Sequence, residues 1–283
     1  VIFSRPIPFA EALASRAVKS ILPTTASAAA LRRIAPELRE RAFFSARTTN
    51  AAYLQRASDL IERILHPEAA EPGQYMDPAT ARLELREFLQ RIGYQPDPEL
   101  RGTLQDLSSD ARLNVLLGTN SRMARGYGYW QQGQDPAILD EWPAQELFRA
   151  EDRRVPRDWI TRWNAARDAV SSRSSATDAR RGIMAALKND PIWVELSEFS
   201  LPYPPFDYNS GMDIRDVSRA DALALGILSS EGSVRPQDRG FNEDLGIAPP
   251  ARSEALLSAL RQSLGDSVEF GPDGAMSLRP SRT

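Results

Sequence analysis

Proline, threonine and asparagine punctuate the first half of the chain, and the intervals between them carry apolar residues at helical spacing. That pattern restricts this half to a set of separate helices. Pro8 can occupy a first helical turn, where its missing N–H costs nothing, and Phe9, Leu13 and Ala17 then share a face, which predicts a helix over residues 8–20. Pro36 opens a second expected helix running toward Arg47, with Leu38, Ala42 and Phe43 apolar among Glu37, Arg39, Glu40 and Arg41. Thr49 or Asn50 can cap a third, in which Tyr53, Ala57, Leu60, Ile61 and Ile64 form a stripe before Pro67 stops it. Asp77 followed by Pro78 has the order of an N-cap and a first helical residue. Ala81, Leu85, Phe88, Leu89 and Ile92 then line one face, and Gly93 is placed to end that helix in a left-handed conformation. The longest expected helix, about 109–132, carries Leu113, Leu116, Leu117, Met123, Tyr127 and Trp130 before Gly133 and links the two halves.

Beyond Pro136 tryptophan and proline become more frequent and helical runs shorten, so a boundary is expected near 105–135. Residues 146–150 suit a short strand, 156–166 a helix containing Trp159 and Trp163, and Asp190 followed by Pro191 repeats the helix-start signal. Residues 171–175 are serine-rich and predict an exposed loop. Pro202, Pro204 and Pro205 impose extended backbone, Asn209, Ser210 and Gly211 supply a turn, and 214–217 can pair as an edge strand. Ser218 starts a helix with Asp221 three residues on, and Gly226 closes it. Residues 254–264 are amphipathic, and Pro272, Asp273 and Gly274 form a turn between Val268/Phe270 and Met276/Leu278. The expected fold is therefore mainly α with an α+β C-terminal half: a helical N-terminal region, a mixed domain with short strands, and a terminal helix plus hairpin. No internal repeat is present.

The hydrophobic share of 42% and charged share of 26% are those of a globular protein, so the chemistry can be sought in a folded chain. The absence of cysteine removes disulfides, thiolate nucleophiles and cysteine-based metal sites, and a single histidine, His66, leaves little imidazole chemistry. Most zinc, haem and triad mechanisms are excluded on that ground. The 35 basic and 38 acidic residues are mixed along the chain, so a broad field of one sign, and with it strong non-specific DNA binding, is disfavoured. No apolar run approaches the roughly 20 residues that cross a bilayer, and no membrane partner is expected.

Carboxylates are the catalytic groups left in number. Glu151 and Asp152 beside Arg153 and Arg154, or Asp207, Asp213 and Asp216 around the turn at Asn209, can in principle hold a divalent cation through oxygen. The ordinary alternative is stronger: aspartate at a turn bonds its own backbone, and a Glu-Asp-Arg-Arg run is usually a solvated, ion-paired face. Ser210 lacks the flanking glycines and the histidine of a nucleophile elbow, and His66 stands beside Pro67 at a helix end, where it faces the carboxyl-terminal dipole. Gly126, Gly128 and Gly133 fall in a helical pattern rather than a strand-to-helix turn, so close helix packing explains them better than a phosphate. Trp130, Trp142, Trp159, Trp163 and Trp193, with Arg122, Arg125, Arg153, Arg154, Arg157 and Arg162, suit a core first, a protein partner second and single-stranded DNA third. No cofactor, metal or catalytic residue is assigned.

Residues 5–25 and 35–65, with Arg39, Arg41, Ala42 and Phe43 in an R-x-R-A-F element, resemble the amino-terminal helical region of phage Mu-type minor head (head morphogenesis) proteins. The long helix of that family tends to read R-L-x-x-I-x-x-T-N-x-x-x-A-x-x-x-G-x-x-Q. Arg112, Leu113, Thr119, Asn120, Ala124, Gly128, Gln131 and Gln132 follow in that order. Residues 146–157, including Glu151, Asp152, Arg153 and Arg154, and residues 203–217, including Pro204, Pro205, Asn209, Gly211 and Asp216, are similar to its closing segments, where a Pro-Pro element precedes an Asn-Gly turn. Many members carry cysteines and a histidine in those segments; this chain has Arg157, Asp158, Met212 and Asp213 there, so a relative's metal is not carried over. The resemblance implies a helical region at 1–107, a head morphogenesis domain at 108–250 and a terminal helix and hairpin at 251–283. It also implies a non-enzymatic protein of the virion head, present in the host cytoplasm during assembly, whose partners are the portal or other head proteins and, less favoured, packaged DNA. The alternatives are a metal-dependent nuclease or toxin-type enzyme carried with a head, and a DNA-binding packaging accessory.

Overall fold

Asn50 and Asp77 turn side-chain oxygens onto the first free N–H groups of two helices, and these caps set the frame of the first half. A computed structural model describes residues 10–17, 19–31, 41–66, 75–230, 232–237, 246–247, 268–270 and 276–278. The chain divides into two compact units, one holding residues through Ala124 and those from Gly240 onward, the other Arg125–Arg239.

In the first unit the elements are α1 (Ala10–Ala17), β1 (Ser20–Ile21), α2 (Ala28–Leu31), β2 (Ala42–Phe43), α3 (Ala51–Leu65), α4 (Pro78–Arg91) and the start of α5 (Asp110–Gln132). Asn50 Oδ1 accepts from Tyr53 N at 2.9 Å, and α3 buries Tyr53, Leu54, Ala57, Leu60, Ile61, Ile64 and Leu65, the expected stripe and its neighbours. Asp77 accepts from Ala79 N and Thr80 N, and α4 buries Ala81, Leu85 and Leu89. Gly93 ends α4 at φ +73° as expected, but Ile92 lies at the C-cap, 45% exposed, and not on the buried face. These stripes meet Leu113, Leu116 and Leu117 of α5, with Ala12 and Phe43, in one core.

Two early expectations change. Pro8 and Phe9 lie outside the described residues, and α1 buries Ala12, Ser15 and Arg16 while leaving Ala17 exposed. The reason is Arg16: its guanidinium lies 4.7 Å over the Phe43 ring and donates to Ser58 Oγ at 2.6 Å, which turns that face inward. Burial lowers the pKa of Arg16 to about 10 against the opposing pull of Glu62. Of the helix expected over 36–47, residues 36–40 lie outside the described residues, and Ala42–Phe43 is a strand paired in parallel with β1, Ile21 opposite Phe43. A buried Phe43 and a strand partner outweigh the local helical pattern there. Late in the chain β7 (Gly246–Ile247), β8 (Val268–Phe270) and β9 (Met276–Leu278) form an antiparallel sheet in the order β7-β9-β8. The β8–β9 hairpin, Val268 opposite Leu278, is the one expected; β7 was not foreseen, and the helix expected over 254–264 lies outside the described residues.

The second unit is a four-stranded antiparallel sheet, order β4-β5-β3-β6, built from β3 (Ala144–Arg149), β4 (Ser175–Asp178), β5 (Ile183–Leu187) and β6 (Met212–Val217). Because strand side chains alternate, Leu147, Met184, Ala186 and Met212 pack on one face with Trp159 and Trp163 of α7 (Trp159–Ala169) and Trp193 of α8 (Ile192–Leu196). Ala144, Ala185 and Val217 pack on the other with Leu139 of α6 (Pro136–Glu141) and Ala222 of α9 (Arg219–Ala224). The strand expected at 146–150 starts two residues earlier and is central to the sheet, while β6 lies at the edge as expected. The helix expected at 156–166 begins instead at Trp159, because Asp158 caps it, accepting from Thr161 N at 3.0 Å. The 171–175 segment is tied down rather than simply exposed: Ser172 and Ser174 each donate to buried Asp190 at 2.5 Å, and Ser175 enters β4. Ser218 and Gly226 bound α9 as expected. No helix among the described residues is long and apolar enough to cross a membrane.

Leu85 is fully buried in the first core and Leu83, on the same helix, is 54% exposed. Urea unfolding of Leu85→Ala will show a loss of about 2–5 kcal/mol, and Leu83→Ala a change within about 0.5 kcal/mol. Asp106 adds a pH test. Burial opposes its charged form, but hydrogen bonds from Gly102 N and from Ser108 N and Oγ outweigh that and hold its pKa below the usual carboxylate value. Its stabilisation is fully present above the unfolded pKa of about 3.9 and lost as pH falls through the lower folded value. Melting temperatures measured from pH 6 down to pH 2 will fall less steeply at the acid end in Asp106→Asn than in the parent.

Candidate functional site

Backbone at the end of β3 has no further strand to satisfy it, and it turns instead to the loop that precedes β6. Ala150 N and Glu151 N both donate to Gly211 O, at 2.9 and 3.0 Å. Arg153 Nε donates to Asn209 O at 2.9 Å while its Nη2 pairs with Glu151 at 2.5 Å, and Arg157 Nη2 donates to Tyr208 O at 3.0 Å. Gly211 has φ +69°, and a Cβ there would stand 2.4 Å from Glu151 O, so only glycine lets the two segments close. Glu151, Arg153, Asn209 and Gly211, distant in sequence, thus form one latch. Asp152 and Arg154 lie outside it on an exposed loop whose Val155 is 80% exposed.

Beneath the latch, Asp207 is buried and meets Arg162 Nη1 at 2.9 Å and Arg157 Nε at 3.5 Å. Arg162 also donates to Leu196 O at 2.8 Å, pairs with Glu198 at 3.3 Å and lies 4.7 Å over the Trp159 ring. The Pro204–Pro205 peptide bond is cis, and Pro204 O would be 2.0 Å from a Cβ on Gly126. Gly126 therefore marks a close backbone approach, reinforced by Tyr203 against Tyr127 and Trp130 with ring centroids 5.7 and 6.0 Å apart.

The other singled-out residues are dispersed. In the first unit Arg112 Nη2 reaches Ser45 Oγ, Ala46 O and Thr48 Oγ1, and its Nη1 reaches Leu104 O, so one guanidinium gathers two loops. Thr119 is buried in α5, and Asn120 Nδ2 donates to Leu116 O one turn back. Asp216 pairs with Lys188 Nζ at 2.7 Å, and Asp213 accepts from Ile214 N at 2.9 Å, so the carboxylates of Asp207, Asp213 and Asp216 share no partner. No group of three or more metal-capable side chains gathers among the described residues. Ser210 is buried and accepts from Met212 N, and His66 is the C-cap residue of α3. Trp130, Trp159, Trp163 and Trp193 are buried; Trp142 is 38% exposed.

Sequence reasoning named Asp207 and Arg162 but for different duties, because nothing local joins residues 45 apart. It passed over α6, although Asp135 followed by Pro136 is the same start signal as Asp77 followed by Pro78, and Asp135 does cap Ala137 N at 2.8 Å. Compared with known protein families, curated proteins and solved structures, the chain matches none.

The latch carries its own test. Gly226, at φ +70°, has nothing within 4 Å of an added Cβ, so Gly226→Ala meets only the left-handed backbone cost, roughly 1–2 kcal/mol. Gly211→Ala meets that and the Glu151 carbonyl. Urea unfolding will place Gly211→Ala below Gly226→Ala in stability, and equal losses would show that the latch is loose.

Proposed function

We propose that this chain is a structural or assembly protein, without enzymatic activity, of a tailed-phage or prophage head, of the Mu-type minor head kind. It would act in the virion at the portal vertex or head interior, after assembly in the host cytoplasm, with the portal or another head protein as partner. The support is that residues aligned by the ordered resemblance have framework duties. Arg112 gathers the 45–48 and 104 loops, Pro204 sits on Gly126, and Glu151 and Arg153 close on Asn209 and Gly211. Motif positions spent on holding the fold suit a protein whose task is shape and attachment. The acidic side chains that an enzyme would need are divided among Arg157, Arg162, Lys188 and backbone N–H groups.

Purified protein is expected to co-sediment with its cognate portal, and mass spectrometry of virions is expected to find it. Its absence from both, together with magnesium-dependent DNA cleavage abolished by Asp207→Asn, Asp213→Asn or Asp216→Asn, would replace this reading with a nuclease.

A further inference from the structure

Trp142 is the exception among the tryptophans, and its surroundings give the exception a use. It follows the last residue of α6 and donates its N–H to Ile138 O at 2.7 Å, so the two residues, 38% and 36% exposed, are neighbours at the end of that helix. Leu139, between them, is buried with Ala144, Val217 and Ala222 and roots the helix in the sheet. Beside it, Arg219 of α9 donates to Asp140 O at 2.6 Å and pairs with the Asp140 carboxylate at 2.6 Å, and α9 carries Leu223, 38% exposed. The platform is held at both ends: Asp135 caps Ala137 N, and Pro143, which follows Trp142, is buried with its carbonyl accepting from Lys188 N at 2.9 Å. Backbone held this firmly loses little freedom when a partner covers it.

Scattered exposed apolar residues are normal on any surface. This group differs in containing tryptophan, the side chain most enriched at binding hot spots, and in the charge around it. Asp140 and Arg219, the single cation on either helix, neutralise one another, while Asp135, Glu141 and Asp221 are exposed with no cation on either helix left to balance them. The rim is therefore acidic, which repels phosphate and attracts lysine and arginine. We propose that the α6–α9 face is a docking site for a basic amphipathic segment of a partner protein, with an apolar side chain set against Trp142 and cationic side chains over the acidic rim. The inference goes beyond the phage-head reading and does not depend on it.

The test uses the full chain and a labelled synthetic helix of leucine and lysine, about 18 residues long so that it can hold helical structure, with a leucine and glutamate counterpart. Fluorescence polarisation will show binding of the lysine peptide that weakens with added salt and weakens at least about tenfold in Trp142→Ala. Glu141→Lys, a change at an exposed position, will weaken it as well, and circular dichroism will show both variants folded. The glutamate peptide will not bind. The proposal is overturned if the lysine peptide fails to bind, if it binds parent and Trp142→Ala equally, or if the glutamate peptide binds as tightly. Self-association that Trp142→Ala abolishes in sedimentation would assign the face to a second copy of the chain and likewise overturn it.

Discussion

Carbonyls of loops and helix ends that no helix or strand satisfies must find donors elsewhere, and in this protein arginine supplies several of them. Arg112 holds Ala46 O and Leu104 O in one unit; Arg153, Arg157 and Arg162 hold Asn209 O, Tyr208 O and Leu196 O in the other. A chain without cysteine has no disulfide to fasten distant loops, and a planar guanidinium with five donors is the side chain best shaped to replace one. The strands and helices around these clamps make ordinary contacts. The irregular segments between them are held by these guanidinium groups together with backbone bonds such as Glu198 N to Phe206 O at 2.9 Å.

This dependence explains which parts of the fold could be read in advance. Asn50, Asp77 and Ser218 act on N–H groups two or three residues away, and Gly93 and Gly226 act through their own φ, so these boundaries are written locally. The β8–β9 hairpin is local too. Ala42–Phe43 could not be read that way, since its strand state comes from Ser20–Ile21, some twenty residues earlier in the sequence. Ile92 kept the helical spacing but had passed the end of α4, where periodicity no longer reports burial. The helix expected from 156 starts at Trp159 because Asp158 satisfies a free N–H of its first turn, a bond made by side-chain geometry that the apolar spacing does not report.

The candidate site divides along the same line. Glu151 and Arg153 are two residues apart and their pairing was visible as a charged run; that the run would close on Asn209 and Gly211 was not, because the contacts span more than fifty residues. Asp207, a cation ligand only in the less favoured reading, is a buried counter-ion that also accepts from Tyr208 N at 2.7 Å. Burying one carboxylate against Arg162 and Arg157 is tolerable only with its partners in place. A group bound in this way is a poor candidate for metal coordination, since a cation would have to displace both guanidinium groups.

Cations engaged within the fold also limit what the surface can bind. Arg112, Arg153, Arg157, Arg162, Arg215 and Arg219 all have carboxylate or carbonyl partners within the fold, and Lys188 is buried against Asp216. Affinity for nucleic acid comes mainly from cations free to displace counter-ions from phosphate. Cations already committed to the protein's own oxygens contribute little to that exchange. Four of the five tryptophans, the other half of a stacking surface, are equally unavailable because they fill the cores. Of the six arginines and five tryptophans behind the single-stranded DNA reading, Arg153, Arg157 and Arg162 and four tryptophans are thus engaged inside the fold. What remains outward on α6 and α9 is apolar surface with an acidic edge, a combination that recognises protein by shape and opposite charge.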